Sequence, residues 1–80
     1  MKTRYQYITF VKQAVDPRRK TTVWTCLNSH WNDKLGEVRW YGSWRQYVFF
    51  ATAEGAVYSA GCLADIQDFI AQLMKAREAG

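Results

Sequence analysis

Few residues in this sequence have side chains that could carry catalytic or metal chemistry: one histidine, His30, and two cysteines, Cys26 and Cys62. A nucleophilic triad needs a nucleophile, a base and an orienting group that converge in space. Cys26 lies in a strand-like run and Cys62 begins an apolar helical pattern, so we expect both thiols to be small buried hydrophobes. The three soft ligands lack the close spacing of a structural zinc site, and a Cys26–Cys62 disulfide is the less favoured alternative. The sequence therefore predicts a protein that is not an enzyme and uses no cofactor and no metal.

A second candidate chemistry is phosphate binding by the basic cluster Arg18-Arg19-Lys20, which follows the single proline, Pro17. Each phosphate contact would add to a salt-dependent affinity. The favoured alternative is a hairpin loop that these charges keep soluble. Eleven basic and seven acidic residues give a net charge of +4, which favours acidic partners without requiring one.

A third candidate chemistry is recognition by the aromatic and basic side chains between Arg39 and Gln46. Tyr, Trp and Arg are enriched at hot spots of protein interfaces, and aromatic side chains with arginines also stack nucleic-acid bases. The structural alternative is that Tyr41 and Trp44 only form a cross-strand pair that stabilises a hairpin. Trp31, in a polar turn, is expected to fold back onto the core or, less favoured, to contact a partner. The predicted partner-binding residues are Arg18, Arg19, Lys20, Trp31, Arg39, Tyr41, Trp44, Arg45 and Gln46.

Residue types and periodicity predict the strands that would position these side chains. Residues 5–11 and 21–27 are rich in β-branched and aromatic residues, which predicts two strands joined by the basic loop. Residues 35–41 and 44–52 are predicted as two more strands, and a short strand at 56–59 follows them. The chain thus supplies four or five strands before its last segment.

The Gly42-Ser43 pair between the third and fourth strands is typical of a two-residue type II′ turn. That turn would place Tyr41 opposite Trp44, and opposed residues share a face of the sheet. The face predicted for the core carries Val38, Trp40, Tyr47 and Phe49, with Arg45 at its rim. The outer face is predicted to carry Glu37, Arg39, Tyr41, Trp44, Gln46, Val48 and Phe50.

The last segment has apolar residues at helical spacing, and Ser59 or Gly61 is expected to begin the helix. Its apolar stripe is Cys62, Leu63, Ile66, Phe69, Ile70, Leu73 and Met74. We therefore predict one α+β domain over residues 1–80, an antiparallel sheet of four to five strands with one C-terminal helix packed on one face. The sequence has no apolar run of about 18 residues and no signal-like start, which favours a cytoplasmic protein and no membrane contact.

The block from Leu35 to Leu73 is distinctive, with Leu35-Gly36, Trp40-Tyr41 and Trp44-Arg45-Gln46-Tyr47 followed by Phe49. It continues with Cys62-Leu63-Ala64-Asp65-Ile66 and Phe69-Ile70. This pattern resembles a group of small phage and prophage proteins of unassigned function. The resemblance covers about half of the chain and brings no catalytic residues. It implies a mobile-element accessory gene, a class that includes compact inhibitors of host defence such as anti-CRISPR proteins.

The leading hypothesis is a small phage-type interaction protein that blocks a host protein or nucleoprotein complex sterically, for example a CRISPR surveillance complex. Such complexes bind nucleic acid in positively charged channels, so a DNA mimic should be acidic, and this chain is basic. The alternative is a nucleic-acid-binding accessory protein that uses Arg18, Arg19, Lys20, Arg39 and Arg45. A homodimer closed by the outer sheet face is a further prediction.

Overall fold

The computed structural model describes residues 1–14 and 16–79 and contains an antiparallel sheet with a long helix across one face. The sheet has four strands in sequence order, and each neighbouring pair is antiparallel. The elements are β1 (Ile8–Lys12), β2 (Trp24–Asn28), β3 (Lys34–Tyr41), β4 (Gln46–Ala51) and α1 (Ala60–Ala79). The α+β class, the antiparallel sheet and the single C-terminal helix are confirmed.

Phe69 of α1 is the centre of the packing between helix and sheet, and it is completely buried. Its ring stacks on Phe10 of β1 with centroids 4.0 Å apart, and it meets the edge of Trp24 of β2 at 5.1 Å. Every strand contributes to the same buried cluster because alternate residues of a strand point to the same face. The buried residues of this cluster are Ile8, Phe10, Cys26, Val38, Tyr47, Ile66, Phe69 and Leu73.

The hairpin between β3 and β4 differs from the predicted one by two residues. Tyr41 pairs with Gln46, not with Trp44, so the loop has four residues, 42–45. Arg45 ends this loop with φ of 54°, a left-handed conformation that is unusual for a residue other than glycine. The predicted type II′ register is therefore wrong. A shift of two residues leaves the paired side chains of β3 and β4 on their predicted faces, because side chains alternate with a period of two. Arg45, predicted at the rim of the core face, lies in the loop instead.

The predicted strand at 56–59 is absent, because this segment carries the chain from the sheet to the helix layer. Tyr58 packs its ring against Phe49 at 5.8 Å and donates a hydrogen bond to the Leu35 carbonyl at 3.3 Å. Ser59 then caps the helix, since its Oγ accepts the Cys62 N–H at 3.1 Å. Of the two residues expected to begin the helix, Ser59 and Gly61, it is Ser59 that caps it.

The apolar stripe of α1 lies against the sheet, with one exception. Leu63 is 54% exposed, because it lies on the flank of the first turn and not on the line through Ile66 and Phe69. At the other end of the helix, Arg77 places its guanidinium 4.0 Å from the centre of the Trp40 ring. Among the residues that the structure describes, no helix is long and apolar enough to cross a membrane.

The N-terminal residues are joined to α1 by hydrogen bonds. The Tyr5 hydroxyl donates to Asp68 Oδ2 at 2.7 Å and accepts from Gln72 Nε2 at 2.9 Å. Burial and the neighbouring Asp68 carboxylate raise the pKa of the Tyr5 phenol. Lys2 adds two backbone contacts to the Gln72 side chain, so the segment before β1 is held against the helix.

Candidate functional site

The sheet face opposite the helix carries a continuous row of four side chains, Arg39, Phe50, Tyr41 and Trp44, which we call the arginine–aromatic patch. The Arg39 guanidinium lies 4.3 Å from the centre of the Phe50 ring. Tyr41 meets Phe50 edge-on with centroids 6.1 Å apart, and it meets Trp44 edge-on at 4.9 Å. The patch therefore joins a cation to three aromatic rings on the open face.

Local structure explains why these four residues meet. Arg39 and Tyr41 are two apart on β3, so they point to the same face, and Phe50 on β4 shares that face. Trp44 reaches the patch from the hairpin loop, where its N–H donates to the Tyr41 carbonyl at 3.1 Å. Its indole is 66% exposed. The ring contact predicted between Tyr41 and Trp44 is present, although the two residues are not cross-strand partners.

The charges on the open face leave Arg39 available to an outside group. Glu37, its neighbour on that face, is occupied: it accepts a hydrogen bond from Gln13 Nε2 at 2.6 Å and lies 3.8 Å from Lys34 Nζ. Over residues 1–14 and 16–79, no carboxylate forms a salt bridge with Arg39. The patch can therefore receive a carboxylate on Arg39 while apolar groups contact the rings beside it.

Arg45 and Gln46 lie next to the patch without being part of its row of contacts. Gln46 begins β4 opposite Tyr41 and shares its face. Arg45 is exposed in the hairpin loop, where its N–H donates to the Gly42 carbonyl at 3.2 Å. Both residues can contact a partner that covers Trp44.

The predicted basic cluster does not form one surface with the patch. Arg18 is bound by Asp16, with Nη2 3.0 Å from Oδ2, and the guanidinium holds the pKa of that carboxyl below its usual value. Lys20 lines a groove of about 820 Å³ on the helix side of the sheet, together with Tyr47 and Arg77. Arg19 lines a smaller hollow of about 520 Å³ between β1 and the basic loop. Lys20 therefore lies on the helix side of the sheet, whereas the arginine–aromatic patch lies on the open face.

Trp31 lies at the opposite end of the sheet from Trp44. It belongs to the β2–β3 turn, whereas the loop of Trp44 joins β3 to β4 at the other strand ends. The Asn28 side chain shapes this turn by accepting the N–H groups of His30 at 2.8 Å and Trp31 at 3.2 Å. Trp31 is 70% exposed and touches His30 edge-on at 4.4 Å, so the expectation that it folds onto the core is wrong.

Of the residues considered for catalysis, the two cysteines lie near each other, but His30 is in the β2–β3 turn. Cys26 is fully buried on the covered face, and burial together with the nearby Cys62 thiol raises its pKa to about 12. Its thiol is therefore protonated at neutral pH and is a poor nucleophile. Both cysteines are free, and His30 is exposed in the β2–β3 turn. Within the described part of the chain, no group of three or more His, Cys, Asp or Glu side chains could hold a metal ion.

Phe50 is the patch residue that the sequence analysis did not include in the binding set. Alternation along residues 46–50 places it on the same face as Gln46. The signal was therefore present in the pattern. What the pattern could not show is that the Arg39 side chain extends over this ring.

Comparison with known proteins gives the chain a phage relative. It is 36% identical over 73 residues to the "Uncharacterized 9.3 kDa protein" of Acholeplasma phage L2, and the match covers 91% of each chain. No protein-family model and no solved structure matches the chain. The resemblance to small phage proteins is thereby confirmed, whereas an anti-CRISPR activity gains no support and stays a prediction. The chain belongs to the family of the 9.3 kDa protein of Acholeplasma phage L2.

Proposed function

We propose that this protein is a small, non-catalytic binding protein that attaches to a host protein through the arginine–aromatic patch. The observation that carries the proposal is the position of the Arg39 side chain and its lack of an ion pair among the described residues. Its guanidinium is held over Phe50 and has no carboxylate of the described chain as a partner. Arginine and exposed tryptophan are the residue types that dominate binding energy at protein interfaces.

The charge of the chain supports an acidic surface on the partner. The net charge of +4 attracts such a surface over long range, and Arg39 provides a specific contact for one carboxylate at short range. Phe50 and Tyr41 would shield that contact from water. An exposed indole such as Trp44 then supplies an apolar anchor at the rim.

The narrower proposal concerns the target. Kinship with a phage protein favours a host factor that limits phage growth, and a defence complex such as the CRISPR surveillance machinery is one such factor. The basic charge argues against mimicry of DNA, so the blocking would be steric. Expression of the protein in a host with an active CRISPR system should restore plaque formation by a targeted phage, and unchanged plaque counts would reject this narrower target.

The general proposal is tested by affinity capture from bacterial lysate, with and without nuclease, followed by binding measurements on the purified partner. Trp44→Ala and Arg39→Ala should each weaken binding of the purified partner at least tenfold. Trp31→Ala is the matched control, because it removes an equally exposed indole at the far end of the sheet. It should leave the affinity unchanged.

Two results would contradict the proposal. Captured material that disappears with nuclease, and direct binding that collapses as salt rises, would favour the nucleic-acid alternative. Equal losses in the Trp31 and Trp44 variants would show that the patch is not the binding surface.

A further inference from the structure

The two edges of the sheet differ in how their outward backbone groups are paired. Along β1, the Phe10 N–H donates to the Thr3 carbonyl at 2.9 Å, and Arg4 forms an isolated bridge with Thr9. The segment before β1 therefore acts as a short covering strand. β1 also ends in a charged residue, Lys12, a feature that discourages edge pairing.

The hydrogen-bond register defines which groups point outward along β4. The Thr52 N–H donates to the Leu35 carbonyl at 3.0 Å, so this pair is of the hydrogen-bonded type. Bonded and non-bonded pairs alternate in an antiparallel ladder. Tyr47, Phe49 and Ala51 consequently direct their N–H and C=O groups away from β3.

This outer edge is only partly occupied. The Tyr47 N–H has the Met74 sulfur as its partner at 3.4 Å, and a thioether is a weak acceptor. Over residues 1–14 and 16–79, no hydrogen bond from the chain reaches the outward groups of Phe49 or Ala51. The strand Gln46–Ala51 has no charge and no proline, two features that usually protect an edge, and α1 reaches this edge at Tyr47 through Met74.

We propose that β4 pairs antiparallel with β4 of a second copy of this chain, forming a two-fold dimer with a continuous eight-stranded sheet. The outward N–H and C=O groups of β4 can form hydrogen bonds when Phe49 lies opposite Phe49 of the second copy and Tyr47 lies opposite Ala51. In that register the Phe49 N–H of each copy donates to the Phe49 carbonyl of the other copy. The occupant is a second copy because the edge is self-complementary and because the two basic chains meet along an uncharged strand.

This dimer differs from one closed by the outer sheet face. Edge pairing leaves the arginine–aromatic patch exposed, and it places two copies of the patch on one side of the enlarged sheet. Val48 and Phe50 lie on that open face. In the proposed register, Val48 of each copy faces Phe50 of the other.

The experiment is sedimentation velocity of the full chain at a low and a high concentration. We expect the mass to rise from 9.3 kDa towards twice that value at the higher concentration. Amide exchange measured by NMR should show the Phe49 N–H protected at high concentration and exposed at low concentration. A chain that remains at 9.3 kDa at both concentrations would overturn the proposal.

Variants locate the interface. Val48→Lys should weaken dimerisation at least tenfold, since it places two ammonium groups close together beside the paired strands. Val48→Glu should act in the same direction, and its charge is compatible with Arg39 in the monomer. The matched control is Val11→Lys, which adds the same charge to the open face of the covered edge strand β1.

Circular dichroism checks that each variant is folded. Val11→Lys and Trp44→Ala should dimerise as the unmodified chain does. If Val11→Lys disrupts the dimer as strongly as Val48→Lys, or if Trp44→Ala abolishes it, β4 is not the interface.

Discussion

The covered and the open face of the sheet are built from alternate residues of the same four strands, but one packs under the helix and the other faces solvent. The covered face places Phe10, Cys26 and Val38 under the helix, where each is at most 2% exposed. The open face keeps polar side chains between its apolar ones and concentrates its aromatic rings near Arg39. Burial therefore accounts for the residues of the first face, whereas burial does not require an arginine stacked on Phe50. That difference is why we assign recognition to the open face.

The largest difference between the faces should appear when one phenylalanine is removed from each. Phe69→Ala should lower the free energy of unfolding by about 3–5 kcal/mol, because it leaves a cavity at the centre of the core. Phe50→Ala should cost about 1 kcal/mol, since it removes a half-buried ring and a cation–π contact. Urea denaturation of both variants measures the difference. Equal losses would mean that the open face is as structural as the core.

The two tryptophans of the β3–β4 hairpin provide a second comparison. Trp40→Ala should destabilise by about 2–3 kcal/mol, less than a fully buried aromatic, because the Trp40 ring is half-buried between Tyr47 and Arg77. Trp44→Ala should change stability by about 0.5 kcal/mol or less. Thermal and urea unfolding test the ranking, and a larger loss for Trp44 would invert the assignment of the faces.

Titration should separate the faces through the Cys26 thiol, which the covered face buries. Because the folded pKa of the Cys26 thiol is raised from 9.0 to about 12, the unfolded chain releases this proton first as pH rises. The contribution is fully present below about pH 9, falls above it and is lost by about pH 12. The free energy of unfolding measured in urea should therefore decline between about pH 8 and pH 11, because burial disfavours the thiolate in the folded chain. Cys26→Ala should reduce this decline, and an identical slope in that variant would show that Cys26 is not its source.

The fold was predictable where a pattern extends over many residues. The helical spacing from Cys62 to Met74 and the alternation in residues 35–41 define element type and face without tertiary information. The short fifth strand that was predicted at 56–59 is absent, and residue patterns could not show this. Residues 56–59 suit a strand, but the ring of Tyr58 and the cap formed by Ser59 use the segment for the crossing to the helix.

The candidate site was predictable as a face and not as a set of contacts. Arg39, Tyr41 and Trp44 were placed on one face from alternation and turn position, and they meet there. Trp31 is far from the arginine–aromatic patch because its turn joins β2 and β3 at the opposite end of the sheet. Lys20 is separated from the patch because it lies beside Arg77 on the helix side. Both are properties of the assembled sheet, which local patterns do not encode.

The hairpin between β3 and β4 also indicates which changes of length the gene can tolerate. Its loop has four residues where the sequence suggested two, and the faces of both strands are the same in either case. Deletion of two codons from this loop preserves the inward direction of Tyr47 and Phe49. Deletion of one codon keeps these faces only if a three-residue loop closes the same pair, Tyr41 and Gln46. A one-residue slip of the strands would instead expose those rings and bury Val48 and Phe50 under the helix. Relatives of this chain should therefore differ in length within residues 42–45 while keeping the alternation of β3 and β4 on either side.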